Sequence, residues 1–402
     1  GGNTNAYTSF DQTVYVQELP SNQLEMILWL ESERMAGLKI DEGGFATERK
    51  VVEEERRLGL NQPYGDVLEK VLEVMFKEHP YRWSPIGQID HLRASTVDDI
   101  QHFWDTYYVP NNATLVVVGD VKHADVQALA GKYFGWIPRC PEPPRVTELE
   151  PDQTEAVKLT IKPENGPVPI AGIGFRTVPQ AHPDTLALNM LMQILGGGES
   201  SRMYLDLVRR KEIAEVALAA HVSFEQAGLA ISAGVLMNPF GDTEAVIDAL
   251  WEQIELVQAE GVTEDELEKV RSQIYRANVT ESLTIASKAN ALGEAAVILG
   301  DTQLANTYLD RVLAVSTEDV QRVARIYLTR ERANEITIKP TLMSGLKSLL
   351  ALSGGGGGDE ASEEDAGEEE DVDGGLRATA TGPKAEAERP EWMGSEPPVA
   401  AA

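Results

Sequence analysis

The sequence has a single cysteine, Cys140, in 402 residues. That excludes an internal disulfide and any metal site built from several thiolates. Pro138, Arg139, Pro141 and Pro143 around it predict a loop carrying an inert thiol. Histidine is scarce too. The six are His79, His91, His102, His123, His182 and His221, and no two stand three or four residues apart, the spacing that places two imidazoles on one helix face for zinc. His79, ahead of Pro80, is expected to pack structurally. No apolar run approaches the length of a membrane span. Cationic side chains are few: 35 Lys and Arg stand against 65 Asp and Glu, a net charge of −30, which argues against nucleic acid as a partner. The Gly196-Gly197-Gly198 run lacks the Lys-Ser or Lys-Thr of a phosphate loop and predicts a tight turn framing a cavity.

What is present suits a globular α+β protein. A hydrophobic content of 42% and a length of 402 residues allow two domains, each with its own core. The first is expected over residues 1–137. Asn5 to Glu18 reads as extended chain, Ser21 to Gly37 as a helix, and Tyr64 to Phe76 as another. Thr96 with Asp99 three residues later predicts a capped helix, and Leu115 to Val118 a short buried strand. A proline- and charge-rich linker is expected over 138–154. A second domain then spans 155–340. Its expected strands are Leu159–Lys162, Ala171–Phe175, Leu229–Leu236 and one after Asn334. Its helices are expected at Asp184–Leu195, Thr243–Ala259, Thr263–Leu299 and after Ser316. Strands alternating with helices in both parts predict two units of similar build, each a mixed sheet packed with helices.

The segment 341–402 is glycine-rich, then acidic, then rich in proline and alanine. From Gly354 onward it carries a net charge of −11, leaving −19 for the rest. Like charge and low hydrophobicity predict disorder there. A cavity lined by the acidic body would favour basic peptides.

In Thr47-Glu48-Arg49-Lys50-Val51-Val52-Glu53-Glu54-Glu55, a helix sets Glu48 and Glu55 two turns apart on one face, beside Val51 and Val52. Taken alone, Glu53-Glu54-Glu55-Arg56-Arg57 reads as a solvated face with local ion pairs. With Gly1-Gly2-Asn3-Thr4-Asn5-Ala6-Tyr7-Thr8-Ser9 upstream, the segment resembles the M16 metallopeptidases, the family of pitrilysin and the mitochondrial processing peptidase. Leu30-Glu31-Ser32-Glu33-Arg34-Met35, Asn61-Gln62-Pro63-Tyr64, His79-Pro80-Tyr81, Pro85-Ile86-Gly87 and Tyr107-Tyr108-Val109-Pro110-Asn111-Asn112 are similar to the family's sequence, in its order. So is Leu195-Gly196-Gly197-Gly198-Glu199-Ser200-Ser201-Arg202-Met203 further on.

The resemblance implies a zinc-dependent peptidase acting on extended peptides. Glu55 would be the third zinc ligand and Glu48 its catalytic assistant. Asn5, Ala6, Tyr7 and Thr8 would form the strand onto which a peptide substrate adds. The two imidazole ligands come, in the family, from a His-x-x-Glu-His helix that this sequence lacks. About 76 residues separate that motif from the glutamate, so the chain is expected to be an N-terminally truncated copy, inactive alone. The Arg and Tyr that help many members hold substrate are not matched in Val208-Arg209-Arg210-Lys211-Glu212-Ile213-Ala214-Glu215-Val216. A second M16 chain or tandem copy is implied as a partner. The alternative is a non-catalytic homologue, the structural or substrate-binding half of a heterodimer. The resemblance leaves the compartment open between cytoplasm and periplasm.

Overall fold

The computed structural model describes residues 2–163 and 165–341. The acidic segment after Thr341 lies outside them. The chain opens with an antiparallel hairpin, β1 (Asn3–Thr8) and β2 (Thr13–Glu18). Six helices follow: α1 (Leu24–Gly37), α2 (Glu42–Asn61), α3 (Val67–Met75), α4 (Ile89–Ala94), α5 (Val97–Tyr107) and α6 (His123–Phe134). The Asp41 carboxylate starts α2 by accepting from Gly44 N at 2.9 Å, filling a donor the helix leaves unpaired. Thr96 and Asp99 start α5 with the expected reciprocal capping box. Residues 138–154 carry no helix or strand.

The second part holds β3 (Val157–Ile161), β4 (Ile170–Thr177), α7 (Thr185–Gly196), β5 (Val216–Ser223) and β6 (Gly228–Val235). It continues through α8 (Thr243–Glu260), α9 (Glu264–Glu281), α10 (Ile285–Val297), α11 (Gln303–Asn306), α12 (Tyr308–Ala314), α13 (Thr317–Tyr327) and β7 (Ala333–Ile338). Its five strands form a mixed sheet in the order β3-β7-β4-β6-β5, with only β3 and β7 parallel. The architecture is thus the expected mixture of sheets packed with helices.

β4 explains how the two parts join. Its Ala171, Ile173 and Phe175 face the core built with α7, α8 and α13. Phe175 meets the buried Trp251 edge-on at 5.7 Å, and each such fully buried side chain stabilises by about 1.5–3 kcal/mol. Gly174 faces the opposite side, where a Cβ would lie 3.1 Å from Met75 Sδ. That glycine makes room for α3, so a helix of the first part covers the second part's sheet. Leu72, Met75 and Phe76 pack there with Tyr81 and Leu229.

Several expectations need correction. Leu115 to Val118 forms no strand, and Leu115 is exposed. A buried strand needs hydrogen-bonded neighbours, and among the described residues β1 and β2 pair only with each other. The long helical pattern from Thr263 to Leu299 breaks between α9 and α10, where the Thr284 side chain accepts from Ser287 N at 3.1 Å and starts a new helix. β5 was not expected. The triple glycine begins on the last residue of α7, which approaches this strand closely: a Cβ on Gly196 would lie 1.9 Å from Ala219 N. Gly198 adopts φ +90° in the turn that follows, a conformation glycine takes without strain.

Candidate functional site

Glu48 and Glu55 lie on α2, seven residues and so about 10 Å apart along its axis. Both are exposed. The side of α2 towards the protein carries Phe45, Arg49, Val52, Glu53 and Arg56, all part-buried. The outer stripe is Glu48, Val51, Glu55 and Leu58, with Val51 54% and Leu58 53% exposed. Neighbouring charges show how distinct this stripe is. Glu53 pairs with Arg93 at 3.3 Å and Glu54 with Arg57, as a solvated helix face would have them. The Glu48 and Glu55 carboxylates have no hydrogen bond or ion pair among the described residues. Two exposed apolar side chains alternating with two unpaired carboxylates mark a face left uncovered.

α2 is held in place from behind. Arg56 donates two hydrogen bonds to Glu69 on α3, at 2.5 and 2.9 Å, and Ser84 Oγ adds a third at 2.9 Å. The Arg56 guanidinium keeps the Glu69 carboxyl below its usual range in spite of partial burial. This brace escapes sequence analysis, because nothing in periodicity links residues 13 apart on different helices.

Asn5, Ala6, Tyr7 and Thr8 all lie in β1, and every residue of that strand is exposed. The ladder decides which backbone groups face outward. Ser9 N donates to Gln12 O at 2.9 Å across the turn, so Thr8 and Thr13 form the next, non-hydrogen-bonded pair. Their hydroxyls accordingly approach to 3.1 Å. Alternation then turns the N–H and C=O of Thr4, Ala6 and Thr8 away from β2. The Ala6 N–H fits this, since it donates to Asn5 Oδ1 at 2.8 Å and not to the partner strand. Among the described residues this outer edge has no strand beside it. An extended chain could add there and receive a regular ladder.

Could these residues hold zinc? A catalytic zinc needs three protein ligands, and no group of three His, Cys, Asp or Glu able to hold a metal ion exists among the described residues. Glu55 alone does not make a site, so the residues present do not fit a complete centre. The rings of three histidines, His79, His182 and His221, have hydrogen-bond partners elsewhere. His79 is buried, with Nε2 3.0 Å from Gln226 Oε1 and Nδ1 accepting from Tyr81 N at 3.1 Å, the structural role expected of it. Arg210 and Lys211 pair with the buried Asp206. Among the described residues no helix is long and apolar enough to cross a membrane.

Comparison with known proteins bears on the same regions. The family model described as insulinase (peptidase family M16) matches residues 1–87, and that described as the peptidase M16 inactive domain matches 94–274. The chain is 30% identical over 345 residues to a zinc protease, PqqE, of Helicobacter pylori, covering 85% of this chain and 77% of that one. It is 24% identical to the beta subunit of the mitochondrial processing peptidase of Lentinula edodes, over 82% of this chain and 72% of that one. Among solved structures, a protease from Helicobacter pylori aligns with a TM-score of 0.79 and 28% identity, covering 85% and 83% of the two chains. A peptidase M16 inactive domain from Pseudomonas fluorescens shares the fold, with a TM-score of 0.73 at 15% identity and coverage of 85% and 81%. Two M16 domains thus follow one another along this sequence, and the chain belongs to peptidase family M16.

Proposed function

We propose that this chain is part of an M16-type zinc metallopeptidase that hydrolyses extended peptides, and that it supplies three elements of that activity. Glu55 is the carboxylate ligand, Glu48 orients the liganding group from the same face of α2, and the outer edge of β1 takes the peptide as an added strand. The observation that carries the reading is the outer stripe of α2, where these two glutamates stand unpaired while Glu53 and Glu54 are neutralised by arginines. The remaining ligands come from outside the described residues. Backbone groups of Thr4, Ala6 and Thr8 hold the peptide, so selection by side chain is loose and the acidic body favours basic sequences. On this reading residues 1–137 and 155–340 are the two domains and 138–154 their linker.

A second reading has an observation of its own. One matching family model is that of an inactive domain, and the described residues lack a complete metal site. The chain would then be the binding half of an assembly with a second M16 polypeptide. Both readings need the β1 edge. Fluorescence anisotropy with a short, labelled, basic peptide free of proline tests it: the 402-residue chain should bind, and Ala6→Pro, which deletes an outward N–H without touching the β1–β2 ladder, should abolish binding. Equal affinity in the two proteins sinks the β1 assignment. Metal dependence separates the readings, since only the peptidase needs Glu55.

A further inference from the structure

The turn between β5 and β6 is gripped by the first part of the chain. Phe224 N donates to Ala227 O at 2.7 Å and closes the turn. The next two N–H groups leave it: Glu225 N donates to Asp11 Oδ2 at 3.0 Å, and Gln226 N to the Tyr81 hydroxyl at 3.1 Å. That hydroxyl in turn donates to Asp11 Oδ1. Asp11 lies in the turn that joins β1 to β2. Phe10 beside it packs on Phe224 at 4.7 Å between ring centres and meets Tyr81 edge-on at 5.7 Å. Tyr81 is itself 5% exposed, and burial pushes its hydroxyl well above the usual tyrosine range, so it remains a donor.

A two-stranded hairpin is marginally stable by itself, and β1 buries none of its own side chains. Its order therefore has to come from anchors. Gln17 Nε2 donates to Glu31 at 2.9 Å and Tyr15 to Tyr108 at 3.3 Å, which fixes the inner strand, β2. At the turn, Asp11 and Tyr81 fix the end nearest Thr8. An edge already held straight spares an incoming peptide the entropy of ordering it.

We infer that Asp11 and Tyr81 are positioning residues for the peptide edge, through which the second domain sets peptide affinity without touching the peptide. The inference rests on β1 being that edge, and the test separates the two. Anisotropy with the labelled basic peptide is read on the unaltered chain, Ala6→Pro, Asp11→Asn, Tyr81→Phe and a control, Tyr327→Phe. The control loses a hydroxyl bonded to Asp184 at 2.7 Å, within the second domain and with no bond to Asp11 or Tyr81. Asp11→Asn and Tyr81→Phe should each weaken binding about tenfold and speed amide exchange in β1, with α7 unaffected. Tyr327→Phe should keep full affinity although it loses comparable thermal stability. Unaltered affinity in Asp11→Asn and Tyr81→Phe, with Ala6→Pro inactive, overturns the inference and spares the edge. Equal weakening by Tyr327→Phe also overturns it, since general stability would then be the cause. Failure of the unaltered chain to bind removes both.

Discussion

Arg56, the residue after Glu55, grips Glu69 with two nitrogens on two oxygens, at 2.5 and 2.9 Å. Both side chains are largely buried, Arg56 12% and Glu69 26% exposed. The pair ties α2 to α3, and α3 lies on the sheet of the second domain. The direction in which Glu55 points is thereby set by the body of the protein.

Breaking that pair should be costly locally. Glu69→Gln keeps the shape but leaves the guanidinium without its charge partner, a loss of about 1–3 kcal/mol for a bidentate, charge-assisted contact. Urea unfolding should report that loss, and amide exchange should quicken in α2 before α7. Unchanged α2 protection would show that the helix is held by apolar packing alone.

Acid stability should depend on Glu266. Burial raises its carboxyl, but two hydrogen bonds from Arg202 and the Thr263 backbone N–H and hydroxyl outweigh burial and bring it from 4.5 to about 2. A carboxyl lowered in the fold stabilises above its unfolded value, and that contribution fades as pH falls through the folded one. Stability should therefore decline between pH 4.5 and about 2. Glu266→Gln should be weaker near neutrality, by about 1–3 kcal/mol, and flatter in that window. Parallel pH curves for the two proteins would contradict this.

His221 should titrate in the opposite sense to a surface histidine that gains a carboxylate partner. Its ring sits between Thr177 Oγ1 at 2.8 Å and Asn189 Oδ1 at 2.6 Å, and burial lowers it from 6.5 to about 4. The unfolded chain takes up the proton first on acidification. The contribution is thus complete above pH 6.5 and is lost as pH falls towards 4. Imidazole proton shifts in an NMR titration should stay those of the neutral ring down to about pH 4. A midpoint near 6.5 would mean that the ring is open to water.

Zinc added to the 402-residue chain should produce no peptidase activity, because the described residues hold no group of three side chains able to bind a metal ion and a catalytic zinc needs three protein ligands. A fluorogenic peptide assay checks it. Zinc-dependent cleavage that vanishes in Glu55→Gln would show a complete site within these residues.

Much of this was legible in the sequence, because local chemistry carries local structure. Thr96 with Asp99, and the apolar spacing of Leu72 and Phe76, act within a turn or two of helix, and the structure follows them. Long-range partners decided the rest. Ala217 and Ala219 turn inward along β5, but alanine has little strand preference, so the alternation did not stand out. β4 reads as a short strand, and only α3 packing on its second face explains Gly174. Asp11 and Tyr81 stand 70 residues apart, and no periodicity joins them. Glu48 and Glu55 were singled out by resemblance, and the ion pairs of Glu53 and Glu54 account for the bland reading of the same run. The metal roles of Glu48 and Glu55 and the peptide role of Asn5 to Thr8 are our proposals.

The most direct test is the zinc content of the product of the whole reading frame that encodes these 402 residues, purified with and without Glu55→Gln. The account predicts that this product binds zinc through Glu55. It also predicts about one zinc per chain, lost in Glu55→Gln while the fold persists. Zinc retained in Glu55→Gln, or absent from both proteins, would contradict the assignment of Glu55 as the ligand of a catalytic centre.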